Sequence, residues 1–319
     1  MRPLSQLPPA SAPLLACLPL LLALSATPGC STAAATPGSA AGEEIGRLHE
    51  PALSEASGLA LSTRRADRAW LLNDSGNPPE LFAASLDGRV TGRYRVQGAR
   101  NVDWEELVAF SYRGRPHLLI ADIGDNAARR REVQLHLVPE PDPDGNGTLQ
   151  VAATLRFRYP DGPRDAESLA VDVAGGWVLV LSKREQVPVF YRVPLDFAAP
   201  GEVLTAERVG PIAGLAQPRL DALLDGNLRR GIYGSSPTGM ALDGAARTLV
   251  VLTYTALYRL RREPGESWEA ALARPFEPLG EHPLPSAEAV ALDAAGDYAY
   301  VTSEYTPTPL WRLRLVRGE

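Results

Sequence analysis

Short apolar runs broken by Gly, Pro, Asp and Asn recur along this chain from Glu44 to its end, at the length of strands rather than helices. The segment from Asp103 to Asn126 shows the unit most fully. Acids (Asp103, Glu105, Glu106) lead into Leu107-Val108-Ala109-Phe110; a turn at Tyr112-Arg113-Gly114-Arg115-Pro116 and a second apolar run, His117 to Ala121, follow. The unit ends in Asp122-Ile123-Gly124-Asp125-Asn126. Two such runs around a Gly/Pro break predict an antiparallel hairpin that brings the acids of both ends together.

The signature repeats. A short run ending in Ala, with acids or hydroxyls ahead of it, occurs at Ser54 to Ala60, Glu105 to Ala109, Asp165 to Ala170, Pro237 to Ala241 and Ala287 to Ala291. Aligned on the alanine, one column reads Ser57, Glu106, Glu167, Thr238 and Glu288. Second strands are expected at Trp70 to Asp74, Leu118 to Asp122, Val178 to Lys183, Leu249 to Tyr254 and Tyr298 to Glu304. From the column residue to the end of the second strand the spacing is 17 in the first unit and 16 in the other four, which predicts one hairpin register throughout. Third strands carry an aromatic residue, as in Leu81-Phe82, Phe190-Tyr191-Arg192, Leu257-Tyr258-Arg259 and Leu310-Trp311-Arg312, with Leu135-His136-Leu137 in unit two. Fourth strands are expected at Val90 to Val96, Leu149 to Arg158, Val203 to Val209 and about Phe276 to Leu284.

Units of four short strands at this spacing predict an all-β, five-bladed β-propeller of four-stranded antiparallel blades. The expected blades are 54–99, 103–160, 165–210, 237–285 and 287–317, the last completed by 44–50. Pairing the N-terminal strand into blade five closes the ring and removes a free edge. Pro211 to Ser236 is extra; Leu220, Leu223, Leu224 and Leu228 predict a short helical insert between blades three and four, with Arg219, Arg229 or Arg230 near the channel mouth as a partial lid.

Composition narrows the function classes. A formal charge of −6 and scattered arginines argue against nucleic acid as a partner. Arg2 followed by the apolar stretch Ala12 to Ala26 and Thr27-Pro28-Gly29-Cys30-Ser31 has the layout of an export signal, 1–29, with 30–43 as a flexible tether and 44–319 as the propeller domain. It resembles a bacterial lipoprotein signal, with Cys30 as the lipidated residue of an exported, envelope-anchored protein; cleavage after Ala33-Ala34-Ala35 would instead release a soluble periplasmic or secreted form. Both cysteines, Cys17 and Cys30, lie in this segment, so the propeller has neither a disulfide nor a thiol catalyst. The anchor is the one membrane attachment expected, and the protein is expected to be a monomer.

In a propeller the start of strand one and the end of strand two share one face. That places Glu106, Asp122, Asp125, Glu167, Glu288 and Glu304 at one mouth of the channel, with Asp74 and Glu55 from blade one. Converging carboxylates call for protons or a cation, and a hard cation taking many oxygens is Ca²⁺. Zinc fits poorly, because His49, His117, His136 and His282 have no ligand spacing.

Ser54-Glu55-Ala56-Ser57-Gly58, Asn73-Asp74-Ser75-Gly76-Asn77, Asp103-Trp104-Glu105-Glu106 and Asp122-Ile123-Gly124-Asp125-Asn126 resemble segments of secreted bacterial propellers related to NHL-repeat proteins and the SdiA-regulated family. The resemblance implies five blades and a calcium site. More distantly, the layout is similar to phytase-like esterase and SMP-30/gluconolactonase propellers, in which a metal supports hydrolysis. Two functions follow as expectations. The first is a Ca²⁺-holding propeller that binds a small ligand or an envelope protein. The alternative is a metal-dependent hydrolase of phosphate esters or lactones, with Glu106, Glu167 or Glu288 as general base and Lys183 steadying an anion, or else simply paired with a neighbouring Glu. No Gly-x-Ser-x-Gly nucleophile and no phosphate-cradling glycine loop is present.

Overall fold

The computed structural model describes residues 42–197, 201–216 and 234–315. All of it belongs to the unit Pro37–Glu319. The expected signal, Cys30 and the tether up to residue 41 lie outside the described residues, as does the helix expected at Arg219 to Arg230; Gly42 and Glu43, expected as the end of the tether, are strand.

Five antiparallel blades form, as the strand repeat predicts. Blade one holds β2 (Ala56–Leu61), β3 (Arg68–Asn73), β4 (Glu80–Ser85) and β5 (Val90–Gln97). Blade two holds β6 (Trp104–Tyr112), β7 (Arg115–Asp122), β8 (Val133–Pro139) and β10 (Ala153–Arg158). Blade three holds β11 (Ala166–Asp172), β12 (Trp177–Ser182), β13 (Val189–Pro194) and β15 (Glu207–Pro211). Blade four holds β16 (Pro237–Leu242), β17 (Thr248–Thr253), β18 (Ala256–Arg261) and β19 (Glu277–Glu281). Blade five holds β20 (Ala287–Leu292), β21 (Tyr298–Ser303), β22 (Thr308–Arg314) and β1 (Gly42–Leu48).

The inner strands β2, β6, β11, β16 and β20 touch in sequence, and β20 returns to β2. The ring therefore closes without an open inner edge. Closure is sealed at the outside by β1, antiparallel to β22 from Gly42 opposite Leu313 to Leu48 opposite Thr308. There the backbone of β1 meets the β4–β5 turn so closely that a Cβ on Gly46 would stand 2.6 Å from the main chain of Asp87, which only glycine tolerates.

Each junction between blades buries its own apolar cluster. Trp70, Leu72 and Leu81 meet Ile120 between blades one and two; Leu119 and Leu135 meet Leu169 and Val180 between two and three. Leu181 and Phe190 meet Met240 and Val251 between three and four, Leu252 meets Val301 between four and five, and Phe82 meets Leu310 between five and one. The all-buried faces of β3, β12 and β17 follow from this: a propeller blade packs on both sides, so its central strands read as continuous apolar runs rather than alternating ones.

The structure corrects two fourth strands. The run from Leu149 to Arg158 is not one strand: β9 (Asn146–Gln150) pairs in parallel with β5 of blade one, and β10 alone completes blade two. Likewise Val203 to Val209 divides into β14 (Val203–Thr205), parallel to β10 of blade two, and β15 of blade three. The connection before a blade's outer strand thus lies against the outer strand of the preceding blade. In blade four the same connection forms α1 (Trp268–Leu272), capped by the Ser267 hydroxyl, which accepts the Ala270 N–H at 3.2 Å. Trp268 stacks on Phe190 of blade three at 6.0 Å and donates its indole N–H to Asp172 at 3.0 Å.

Candidate metal centre

Every inner hairpin carries a β-bulge at the same place. Register skips one residue of the first strand, namely Ser57, Glu105, Glu167, Thr238 and Glu288. A bulge re-aims one side chain without ending the ladder. In blades one and four that side chain is a hydroxyl that latches the next blade: Ser57 donates to the Trp104 carbonyl at 2.9 Å and Thr238 to the Ala287 carbonyl at 2.8 Å. In the other three blades it is a glutamate.

Blade two departs from the alignment. Its bulge residue is Glu105, not Glu106, and the residue after its second strand is Ile123, not Asp122, because Trp104 pairs with Asp122 and Glu106 with Ala121. The β6–β7 hairpin is longer, and slipping both columns by one residue restored the spacing seen elsewhere. One residue of slip along a strand exchanges its faces.

Glu106 accordingly sits apart from the other acids. It is 1% exposed, and its carboxylate accepts the N–H groups of Leu107 and Met240, each at 3.1 Å, as well as those of Leu59 and Leu169. Four inner strands thereby converge on one side chain. Burial pushes its pKa well above the ordinary carboxylate value, and the four N–H groups pull against that.

Asp122 pairs with Arg130 at 2.7 Å and accepts the Asp103 N–H at 3.2 Å. Asp125 accepts the N–H groups of Arg129 (2.9 Å) and Arg130 (2.7 Å), closing its own loop. Neither joins an acidic group.

Two groups of acids do form, sharing a member. Asp74, Asp103 and Glu105 offer oxygens within 4.8 Å of one another, and so do Glu105, Asp165 and Glu167. Glu167 places one oxygen against the Lys183 ammonium; its other oxygen is buried without a hydrogen-bond partner. That ammonium contact makes Lys183 the ion-pair partner of the neighbouring glutamate, and Lys183 also donates to the Tyr254 hydroxyl at 2.9 Å. Asp165 is held by Arg184 at 2.6 Å. Glu288 stands beside Glu167, Lys183 and Glu304.

The electrostatics are those of crowded acids. Burial first, then the charge of Asp74, pushes Asp103 up to about 6. Burial pushes Glu167 up to about 7 even though Lys183 pulls it down. Glu105 and Glu288 lie well above the usual range, through burial and then through Glu167. Burial also lifts Asp74. Lys183 is opposed by burial, yet Glu167 and Glu288 hold its pKa well above normal.

The residues fit a hard cation. Oxygens of Ca²⁺ lie about 2.3–2.6 Å from the ion, so donors on opposite sides are about 5 Å apart, which spans each group. The donor set is all oxygen, no histidine belongs to either group, and Glu167 keeps one oxygen unused. Asp103 and Glu105 were legible together as acids at one hairpin end, and Asp74 as an acid of the same mouth; Asp165 was not placed there, and its signal was the Asp-x-Glu spacing shared by Asp103-Trp104-Glu105 and Asp165-Ala166-Glu167.

No family model matches this sequence, and no curated protein matches it either. Solved structures with a similar fold include hydrazine synthase from Kuenenia stuttgartiensis, with a TM-score of 0.42 and 11% identity over 82% of this chain and 72% of that one. A gluconolactonase from Xanthomonas campestris has a TM-score of 0.44 and 14% identity over 82% of this chain and 72% of that one. A chain of the nidogen/laminin complex has a TM-score of 0.43 and 13% identity over 79% and 73%.

Proposed function

We propose that this chain is a Ca²⁺-holding β-propeller that presents the cation at one mouth of its channel to an oxygen-bearing ligand or an envelope protein. The observation that carries the reading is Glu105, shared by two groups of acids, the second of which includes Glu167, a residue with one buried oxygen that has no hydrogen-bond partner. Asp74, Asp103, Glu105, Asp165 and Glu167 would hold the ion, which would supply positive charge and open positions for a ligand oxygen. Lys183 offsets the charge on the Glu167 and Glu288 side of the mouth, and the Tyr254 hydroxyl accepts a hydrogen bond from it. Ca²⁺ titration calorimetry tests this: the protein is expected to bind one ion at the mouth, and Glu105→Gln to remove that binding, whereas equal binding by the variant would refute the assignment.

The layout of residues 12–31 supports export and a lipid anchor at Cys30. Mass spectrometry of the protein from its native membrane checks this. A diacylated N-terminal Cys30 is expected, and a mature chain beginning beyond Ala35 would point to the soluble form.

A second reading, metal-dependent hydrolysis of a phosphate ester or lactone, is favoured by one observation. Glu167 is poised at about 7, the range that suits a general base at neutral pH. Phosphate monoesters, diesters and lactones tested against the protein and Glu167→Gln decide between the two: turnover lost in the variant selects the hydrolase, and no turnover selects the binder.

A further inference from the structure

Between blades one and two, beside but separate from the acidic mouth, lies a cavity of about 450 Å³ lined by Gly98, Ala99, Arg100, Val102, Asp122, Gln134 and His136. Gln134 pairs with Asp122, and His136 with Ile120, across β7 and β8. All four side chains therefore share the face of blade two that meets blade one. His136 is 2% exposed and Asp122 1%. The ring Nδ1 is 3.1 Å from the Thr154 hydroxyl, whereas Nε2 is buried with no hydrogen-bond partner. Nε2 stands 4.0 Å from the Asp122 carboxylate, too far for a direct bond.

An unpartnered buried imidazole nitrogen is costly, and a hydrogen-bonding partner at Nε2 would remove that cost. One oxygen about 2.8 Å from both Nε2 and the Asp122 carboxylate closes the gap, with the near-right angle that a hydroxyl group accommodates. With Thr154 donating to Nδ1, Nε2 carries the hydrogen and donates, and the hydroxyl passes its own hydrogen to Asp122. Burial lowers the His136 pKa, which keeps the ring neutral. A water alone fills about 30 Å³, far less than this cavity. A cation is disfavoured by Arg130, already 2.7 Å from Asp122, and by Arg100 at the rim; an anion is disfavoured by Asp122. Val102, 54% exposed and one of the few large apolar side chains that face solvent among the described residues, offers a surface to C–H groups.

We propose that this interblade cavity binds a neutral polyhydroxylated ligand of monosaccharide size, one hydroxyl bridging His136 and Asp122 while Gln134 and Arg100 meet its neighbours. None of these contact residues is among the acids that would hold the cation.

The protein has four histidines, so ring-¹⁵N-labelled histidine gives a short spectrum in which His136 can be followed. Glucose, galactose and myo-inositol serve as probes. At least one should move the His136 Nε2 resonance saturably, leave the other three histidines unmoved, and bind about ten-fold more weakly to Gln134→Ala, a half-buried position whose truncation leaves the fold intact. A His136 signal that none of the three moves would overturn the proposal, as would equal binding by Gln134→Ala. So would a crystal soaked in the same probes that shows only a water between His136 and Asp122.

Discussion

At the scale of single residues, Glu106 and the mouth acids answer different physical demands. Glu106 satisfies N–H groups from the inner strands of four blades at one point. Removing a buried group that satisfies several donors leaves those donors orphaned, at about 1–3 kcal/mol each. Glu106→Ala should therefore lose about 3 kcal/mol or more in urea unfolding, with Glu106→Gln losing less, since an amide oxygen still accepts. A loss below 1 kcal/mol for the alanine variant would show that these contacts are incidental. The mouth acids carry the pH dependence. Asp103 at about 6 and Glu167 at about 7 are raised above their unfolded values near 4, so the cation-free folded state binds more protons than the unfolded state between about pH 4 and 7. Stability of the EDTA-treated protein should accordingly fall as pH rises through that window, and Ca²⁺ should reverse the fall. A melting temperature that climbs steadily from pH 4 to 7 in EDTA would contradict this.

At the scale of elements, the ring depends on β1 and the outer flank of blade three on α1. A chain lacking Gly42–Leu48 exposes the edge of β22 and loses the burial of Leu48. Its melting temperature should drop by on the order of 10 °C, the equivalent of a few kcal/mol for a domain of this size. Trp268→Ala removes the Phe190 stack and the Asp172 hydrogen bond, and should cost about 3 kcal/mol in denaturant unfolding. These elements also mark how far the fold can be read from the residues. Inner and second strands were legible because local apolar runs and turns define them, and the closure was legible because Glu44–His49 resembles the outer strand of blade four. β9, β14 and α1 were not, since each is fixed by the blade before its own rather than by its own pattern. The bulge in blade two was hidden for a subtler reason: a longer hairpin, slipped by one residue, mimics the spacing of the shorter ones.

At the scale of the whole molecule, five inner hairpins deliver five bulge residues to one channel, and three of the five are glutamates. Repetition alone gathers acid. What distinguishes one side of the mouth from the other is its partners. Lys183 touches Glu167 and Tyr254 directly, whereas Asp74 and Glu105, which gather with Asp103, feel it only at a distance, and Glu167 keeps one buried oxygen without a hydrogen-bond partner. Such a set holds its charge against burial with protons or with a cation. A cation that binds the folded form stabilises it by mass action, by about 2.7 kcal/mol at one hundred times its dissociation constant. The direct test is the melting temperature of the purified protein at pH 7.5 in EDTA and in excess Ca²⁺, for the wild type and Glu105→Gln. A rise of several degrees with Ca²⁺, reversed by EDTA and absent in Glu105→Gln, is the expected result. Identical melting of the wild type in both solutions would contradict the cation site.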